Sequence, residues 1–273
     1  MPNVWDAMKK HEAEQAATPP APAAPAPPQS AVAAALARPQ AAGSAVGAVS
    51  VNGYAPELCA HHERGGAIAE DFRGLRTSLL AQYPDERFCL LVTSAEKGEG
   101  KTVACLNLSM VLAERQERRT VVVDCDLRAR RVARLMRMDN APGITDVLRG
   151  KARVEDVLRK TAYPNLFVIP AGDAGKGEIG DLLHRPELEE TVSALRREFD
   201  YVLFDTPPVG VVPDACMLGR AFSDALLVVR MYKTRRETVD SAVRLLHAAN
   251  IKPVGVVLTH HKYYIPKLLY YHT

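Results

Sequence analysis

Phe88-Cys89-Leu90-Leu91-Val92-Thr93-Ser94-Ala95-Glu96-Lys97-Gly98-Glu99-Gly100-Lys101-Thr102-Val103 joins an apolar run to a glycine-containing loop and then to a helical pattern. The run from Phe88 to Thr93 lacks polar alternation, as expected of a short strand buried on both faces. The loop after it matches G-x-x-x-x-G-K-[ST], except that Ala95 stands in place of the first glycine. Gly98 and Gly100 let backbone amides curl round an anion, and a helix starting near Lys101 adds the positive end of its dipole. A nucleotide phosphate is therefore expected against Gly98, Glu99, Gly100, Lys101, Thr102 and Val103. Lys101 reaches the β- and γ-phosphates and the Thr102 hydroxyl ligates Mg²⁺. A chance glycine turn would have no reason to sit between a buried strand and a helix.

Working outward, five more apolar runs read as strands: Val121–Val123, Leu166–Ile169, Tyr201–Phe204, Ala225–Val229 and Val254–Leu258. Helical spacing separates them. Ile68, Phe72, Leu75, Leu79 and Leu80 mark a helix from Ala67 to about Gln82, and others are expected over Lys101–Glu117, Pro186–Glu198 and Arg235–Asn250. Strands alternating with helices predict an α/β fold, a mostly parallel sheet with helices on both faces. In that architecture ligands sit at the C-terminal ends of the strands.

Two of those strand ends carry acids. The second strand leaves as Asp124-Cys125-Asp126-Leu127-Arg128, and carboxylates at alternate positions project to the same side. Beside phosphates, Asp124 and Asp126 can hold Mg²⁺ and take a proton from an incoming hydroxyl. The fourth strand ends Phe204-Asp205-Thr206-Pro207-Pro208, and Asp205 is expected as the second anchor of the hydrated metal. Any one Asp reads equally well as a turn former. Three acids at two strand ends beside the loop form one constellation.

From Glu70 to the end, about three-quarters of the chain, these motifs resemble the bacterial tyrosine kinase (BY-kinase) family of capsule and exopolysaccharide synthesis. That family consists of P-loop ATPases related to the MinD/ParA group. In the resemblance the loop is the Walker A motif, Asp124-x-Asp126-x-Arg128 the Walker A′ motif, and Asp205-Thr206-Pro207-Pro208 the Walker B motif. MinD/ParA ATPases carry a signature lysine at the second loop position, where this chain has Glu96; Lys97 falls one place later. Glu70-x-x-Arg73-x-x-Arg76, three residues on one helix face, is similar to the family's oligomerisation motif and implies a contact with a neighbouring subunit.

The last fourteen residues hold four of the nine tyrosines, Tyr263, Tyr264, Tyr270 and Tyr271. By the resemblance they are phospho-acceptors; an aromatic segment packing on the domain is the plainer reading. The implied reaction is transfer of the γ-phosphoryl group of MgATP to a tyrosine hydroxyl, with Lys101, Asp124, Asp126 and Asp205 as the catalytic set. Thr102, Asp126 and Asp205 are the metal ligands. Asp124 or Asp126 serves as base, with Asp124 preferred. The rival is a MinD/ParA-like ATPase switch without kinase activity.

The rest of the chain bounds these readings. From Gln15 to Ala37 no residue is charged and Ala and Pro dominate, so this stretch cannot bury enough apolar surface to offset its ordering entropy. The expected organisation is an N-terminal segment over 1–14, with Trp5 and Met8 on a short docking helix or a frayed end. A disordered linker over 15–65, a P-loop domain over 66–259 and a tyrosine-rich tail over 260–273 follow. Net charge is +3 with 25% charged residues, too weakly basic to imply nucleic acid. The start carries Asp6, Glu12 and Glu14 beside Lys9 and Lys10 with no apolar core, and no run is long enough to span a bilayer. A cytoplasmic protein is expected, drawn to the inner membrane face by a partner. The resemblance implies a separate transmembrane activator of the polysaccharide co-polymerase type, alongside self-association and protein tyrosine substrates. Five cysteines without a CxxC pair read as reduced thiols, and His61-His62 and His260-His261 as surface residues.

Overall fold

All six apolar runs are strands in the computed structural model, which describes residues 53–175, 177–211 and 221–261. The first half of the domain runs α1 (Cys59–His62), α2 (Ala67–Leu80), β1 (Phe88–Ser94), α3 (Lys101–Leu112), β2 (Thr120–Asp124) and α4 (Arg131–Leu135). Then come α5 (Ile144–Leu148), α6 (Val154–Val157), β3 (Arg159–Lys160), β4 (Leu166–Ile169) and α7 (Ile179–Leu183). The chain continues with α8 (Pro186–Glu198), β5 (Tyr201–Asp205), β6 (Asp224–Arg230), α9 (Arg236–Ala248) and β7 (Lys252–Thr259).

The described strands form one seven-stranded sheet in the order β3-β4-β2-β5-β1-β6-β7. Every neighbouring pair is parallel except β3 with β4. β1, β2, β4 and β5 are buried along their whole length, which is why they read as continuous apolar runs rather than alternating ones. β3 escaped notice because it is two residues of charged sequence hydrogen-bonded at the sheet edge. Separate apolar clusters cover the two faces, one around Val121, Phe167, Phe204 and Leu246, the other around Leu90, Leu106, Val122 and Leu203.

α3 lies across the second face and is buried on almost every side, so its sequence shows little amphipathic pattern. It stops at Leu112, short of the expected Glu117. The carbonyls of Arg115 and Arg118 beyond it accept instead from the Asn165 side-chain amide, at 3.0 and 2.7 Å. That bond bends the chain back toward β2.

The packed unit also begins earlier than the boundary expected at 66. Tyr54, Leu58 and Ala60 are core residues. Asn107, a polar side chain inside α3, accepts from the Ala60 N–H at 2.8 Å and donates to the Glu57 carbonyl at 3.2 Å. A buried amide needs such partners, and the segment before residue 66 supplies them. His61, expected at the surface, is buried with its Nδ1 2.9 Å from the Tyr163 hydroxyl. The N-terminal segment over 1–14, the linker up to residue 52 and Tyr263, Tyr264, Tyr270 and Tyr271 lie outside the described residues.

Candidate nucleotide site

Strand register assembles the site. β5 runs between β1 and β2, and pairing places Asp205 level with both Asp124 and Val92. Adjacent parallel strands lie about 4.8 Å apart, so the two acids stand side by side at the sheet's C-terminal edge. The loop leaves β1 just above them. Gly98 and Gly100 both take positive φ, +80° and +91°, conformations that side chains with a Cβ resist. Gly100 caps α3, whose first two residues are Lys101 and Thr102.

Glu99 turns its side chain away from the phosphate side. Buried at 2% exposure, it accepts from the Glu96 N–H at 2.7 Å, the Arg230 N–H at 3.2 Å and the Thr234 hydroxyl. Its carbonyl accepts from Thr259 Oγ1 at 2.6 Å. The loop is thereby tied to the ends of β6 and β7. This anchoring went unread because Thr234 and Thr259 are more than a hundred residues away in sequence.

Lys101, Thr102, Asp124, Asp126 and Asp205 come together as expected. The Lys101 ammonium lies 2.6 Å from Asp126 Oδ2 and 3.9 Å from Asp205 Oδ1, and Thr102 Oγ1 donates to Asp205 Oδ2 at 2.7 Å. Burial works against the Lys101 charge, yet Asp205 and Asp126 hold its pKa above the ordinary value. Burial pushes Asp205 up to about 6, and raises Asp124 well above the carboxylate range with help from the Asp205 charge.

The two acids of the Asp124-x-Asp126 pair, between which the choice of base lies, differ in their surroundings. Asp124 accepts from the N–H of Asp126 at 3.1 Å and of Val132 at 3.0 Å, one bond on each oxygen, and is fully buried. It lies beneath the cleft rather than on its wall. Asp126 lines the cleft, which measures about 340 Å³ and is also walled by Gly98, Gly100, Lys101, Pro207 and Pro208. Arg128, expected beside the nucleotide, lines the same cleft.

The residues present fit a magnesium nucleotide. Asp205 Oδ1 is buried without a hydrogen-bond partner, and one ammonium faces three carboxylates. Among the described residues no group of three or more His, Cys, Asp or Glu is arranged to hold a metal unaided. Mg²⁺ does not require one, because it keeps several waters and takes one or two carboxylates plus phosphate oxygens.

The charged stripe on α2 is satisfied within the chain. Arg73 bonds Glu70 at 2.5 Å and Glu114 at 2.6 Å, while Arg76 bonds Glu114 at 2.9 Å and the Val111 carbonyl at 2.7 Å. Glu114, just past α3, is the partner that sequence spacing could not reveal.

Comparison with known proteins agrees with this architecture. The AAA domain family matches residues 90–237, more than half of the chain. This chain belongs to the AAA domain family. The tyrosine-protein kinase Wzc of Salmonella typhi is 30% identical over 190 residues, 69% of this chain. The match spans only 26% of Wzc, so the chain corresponds to about a quarter of that relative. The kinase domain of the Escherichia coli tyrosine kinase ETK superposes with a TM-score of 0.69 at 26% identity, covering 77% of this chain and 83% of that one. The cell division ATPase MinD of Pyrococcus furiosus is more distant, with a TM-score of 0.54 and 29% identity over 62% of this chain and 70% of MinD.

Proposed function

We propose that the chain binds MgATP in this cleft and transfers the γ-phosphoryl group to tyrosine hydroxyls, its own tail included, as a kinase regulating exopolysaccharide or capsule synthesis. The observation that carries the reading is the contact between Lys101 and Asp126 on the cleft wall. It puts a phosphate-binding cation and a proton acceptor in one space. Likeness to Wzc and ETK points the same way.

Phosphate binding draws Lys101 off Asp126 and leaves that carboxylate facing the cleft. A phenol with pKa about 10 needs a base at neutral pH, and Asp126 accepts its proton. Asp124 orients Asp126 through the bond from its N–H. Thr102 and Asp205, now bonded to each other through Asp205 Oδ2, would hold the metal in this scheme, with Asp205 Oδ1 left without a hydrogen-bond partner. Bound Mg²⁺ supplies charge neutralisation along the phosphates. Gly98, Glu99, Gly100 and Val103 contribute backbone amides, and Arg128 a further cation.

Self-association through Glu70, Arg73 and Arg76 has to compete with Glu114. No helix among the described residues is long and apolar enough to cross a membrane. From the resemblance we propose a separate transmembrane activator that recruits the kinase to the inner membrane face.

The second reading, a MinD-like ATPase switch, uses every one of the same nucleotide residues. Transfer from γ-labelled ATP separates the two. Label retained on protein tyrosine supports the kinase, whereas release of all label as free phosphate, with the activator present, supports the switch.

A further inference from the structure

The cleft is acidic at its floor and basic at its mouth. Lys97, Arg128, Arg131 and Arg134 all line it, and all four are exposed, whereas Asp124, Asp126 and Asp205 are buried. Two carboxylates share the lining, Glu57 and Asp126, and the second is already engaged by Lys101. The turn that follows Asp126 builds this rim. Asp124 accepts from the Val132 N–H and fixes the start of α4, so Arg131 and Arg134, one turn apart, share a helix face toward the cleft.

Several other arginines of the domain pair with acids: Arg130 with Asp173, Arg149 with Glu178, and Arg73 and Arg76 with Glu114. Among the described residues, neither Arg131 nor Arg134 has an acid at ion-pair distance, although the Arg131 charge still acts on the buried Asp205 carboxyl. Exposed guanidinium groups on one cleft wall suit an anion, for which they offer paired donors. The nucleotide phosphates belong deeper, against the loop and Lys101.

We propose that Arg131 and Arg134 form an acceptor subsite for negative charge beside the tyrosine being modified, supplied by an acidic side chain or by a phosphotyrosine. This rests on the kinase reading for its purpose, though not for its binding test. The four tyrosines of the last fourteen residues come in adjacent pairs, Tyr263-Tyr264 and Tyr270-Tyr271, in a segment with Lys262 and Lys267 and no acid. Unmodified, that segment meets a rim of its own sign. A first phosphate adds about −1.5 to −2 charges, and the second tyrosine of the pair then enters beside an anion the rim can hold. Pairs are accordingly modified in sequence, the second site faster than the first.

The test uses two peptides of sequence 260–273, one unmodified and one phosphorylated at Tyr263, titrated into the full chain saturated with MgADP so that the phosphate loop is filled. Fluorescence anisotropy is expected to show the phosphopeptide binding at least about tenfold tighter. The preference should shrink as added salt shortens the Debye length from about 10 Å to about 3 Å. It should vanish in the double variant Arg131→Gln with Arg134→Gln. Equal affinity of the two peptides, or a preference indifferent to salt, overturns the subsite. Absence of phosphotyrosine under MgATP, with the peptide preference intact, leaves the subsite standing and removes the kinase reading instead.

Discussion

Lys101 and Asp126 form a buried ion pair, 2.6 Å apart, in which the cation of the phosphate loop rests on a carboxylate just beyond the end of β2. The pair joins the phosphate loop to the segment after β2 across the cleft.

Replacing Lys101 by Met keeps most of the side-chain bulk and removes the charge facing the phosphates. MgATP affinity measured by calorimetry should fall more than about tenfold, roughly 1.4 kcal/mol. Unchanged affinity would show that the nucleotide does not meet Lys101.

The two acids after β2 should respond differently. Asp126→Asn removes the acceptor on the cleft wall, and phosphotyrosine formation should drop at least about a hundredfold, within the usual range for a lost general base, while MgATP still binds. Asp124→Asn keeps one acceptor oxygen for the two backbone N–H groups and is expected to retain measurable transfer. The reverse order of severity would return the base to Asp124.

Glu99 is a positioning residue, and its effect should appear in nucleotide affinity. Glu99→Ala leaves the N–H groups of Glu96 and Arg230 without their acceptor, at about 1–3 kcal/mol for each buried group left unsatisfied. It should lower the melting temperature and raise the KM for ATP more than it lowers kcat. Glu99→Gln keeps an acceptor oxygen and should recover part of both. Equal kinetics in wild type and Glu99→Ala would mean that the loop holds its shape without the anchor.

Burial raises Asp205 to about 6, from an ordinary value of about 3.9. A carboxylate raised on folding contributes stability that is complete below the unfolded pKa and lost as pH rises through the folded one. Without nucleotide, Asp205→Asn should therefore melt above wild type near pH 8, and the gap should close on acidification through about 6. The same variant should lose the Mg²⁺-dependent part of ATP stabilisation. A wild type more stable than Asp205→Asn at every pH contradicts the strain assigned to this carboxylate.

What the sequence revealed, and what it hid, follows from locality. β1, β2, β4 and β5 were legible because burial on both faces demands unbroken apolar runs, and the Gly98–Thr102 loop because its chemistry is contiguous. Asp124, Asp126 and Asp205 could be placed at strand ends, but their division of labour could not. That depended on Val132, whose N–H occupies an Asp124 oxygen from eight residues away. The stripe of Glu70, Arg73 and Arg76 was visible as a helix face, whereas its partner Glu114 sits on another element. The domain start near Tyr54 was hidden for a similar reason. Its anchor, Asn107, lies in the middle of α3.

The central claim is that this cleft phosphorylates tyrosine. The most direct measurement is mass spectrometry of the full chain after incubation with MgATP and the proposed membrane activator, run beside Asp126→Asn and a variant with Tyr263, Tyr264, Tyr270 and Tyr271 changed to Phe. The expected result is phosphotyrosine in the 260–273 segment of wild type, at least about a hundredfold less in Asp126→Asn, and transfer by the Phe variant only to an added tyrosine substrate. ATP consumed by wild type with no phosphotyrosine on any protein present would contradict it.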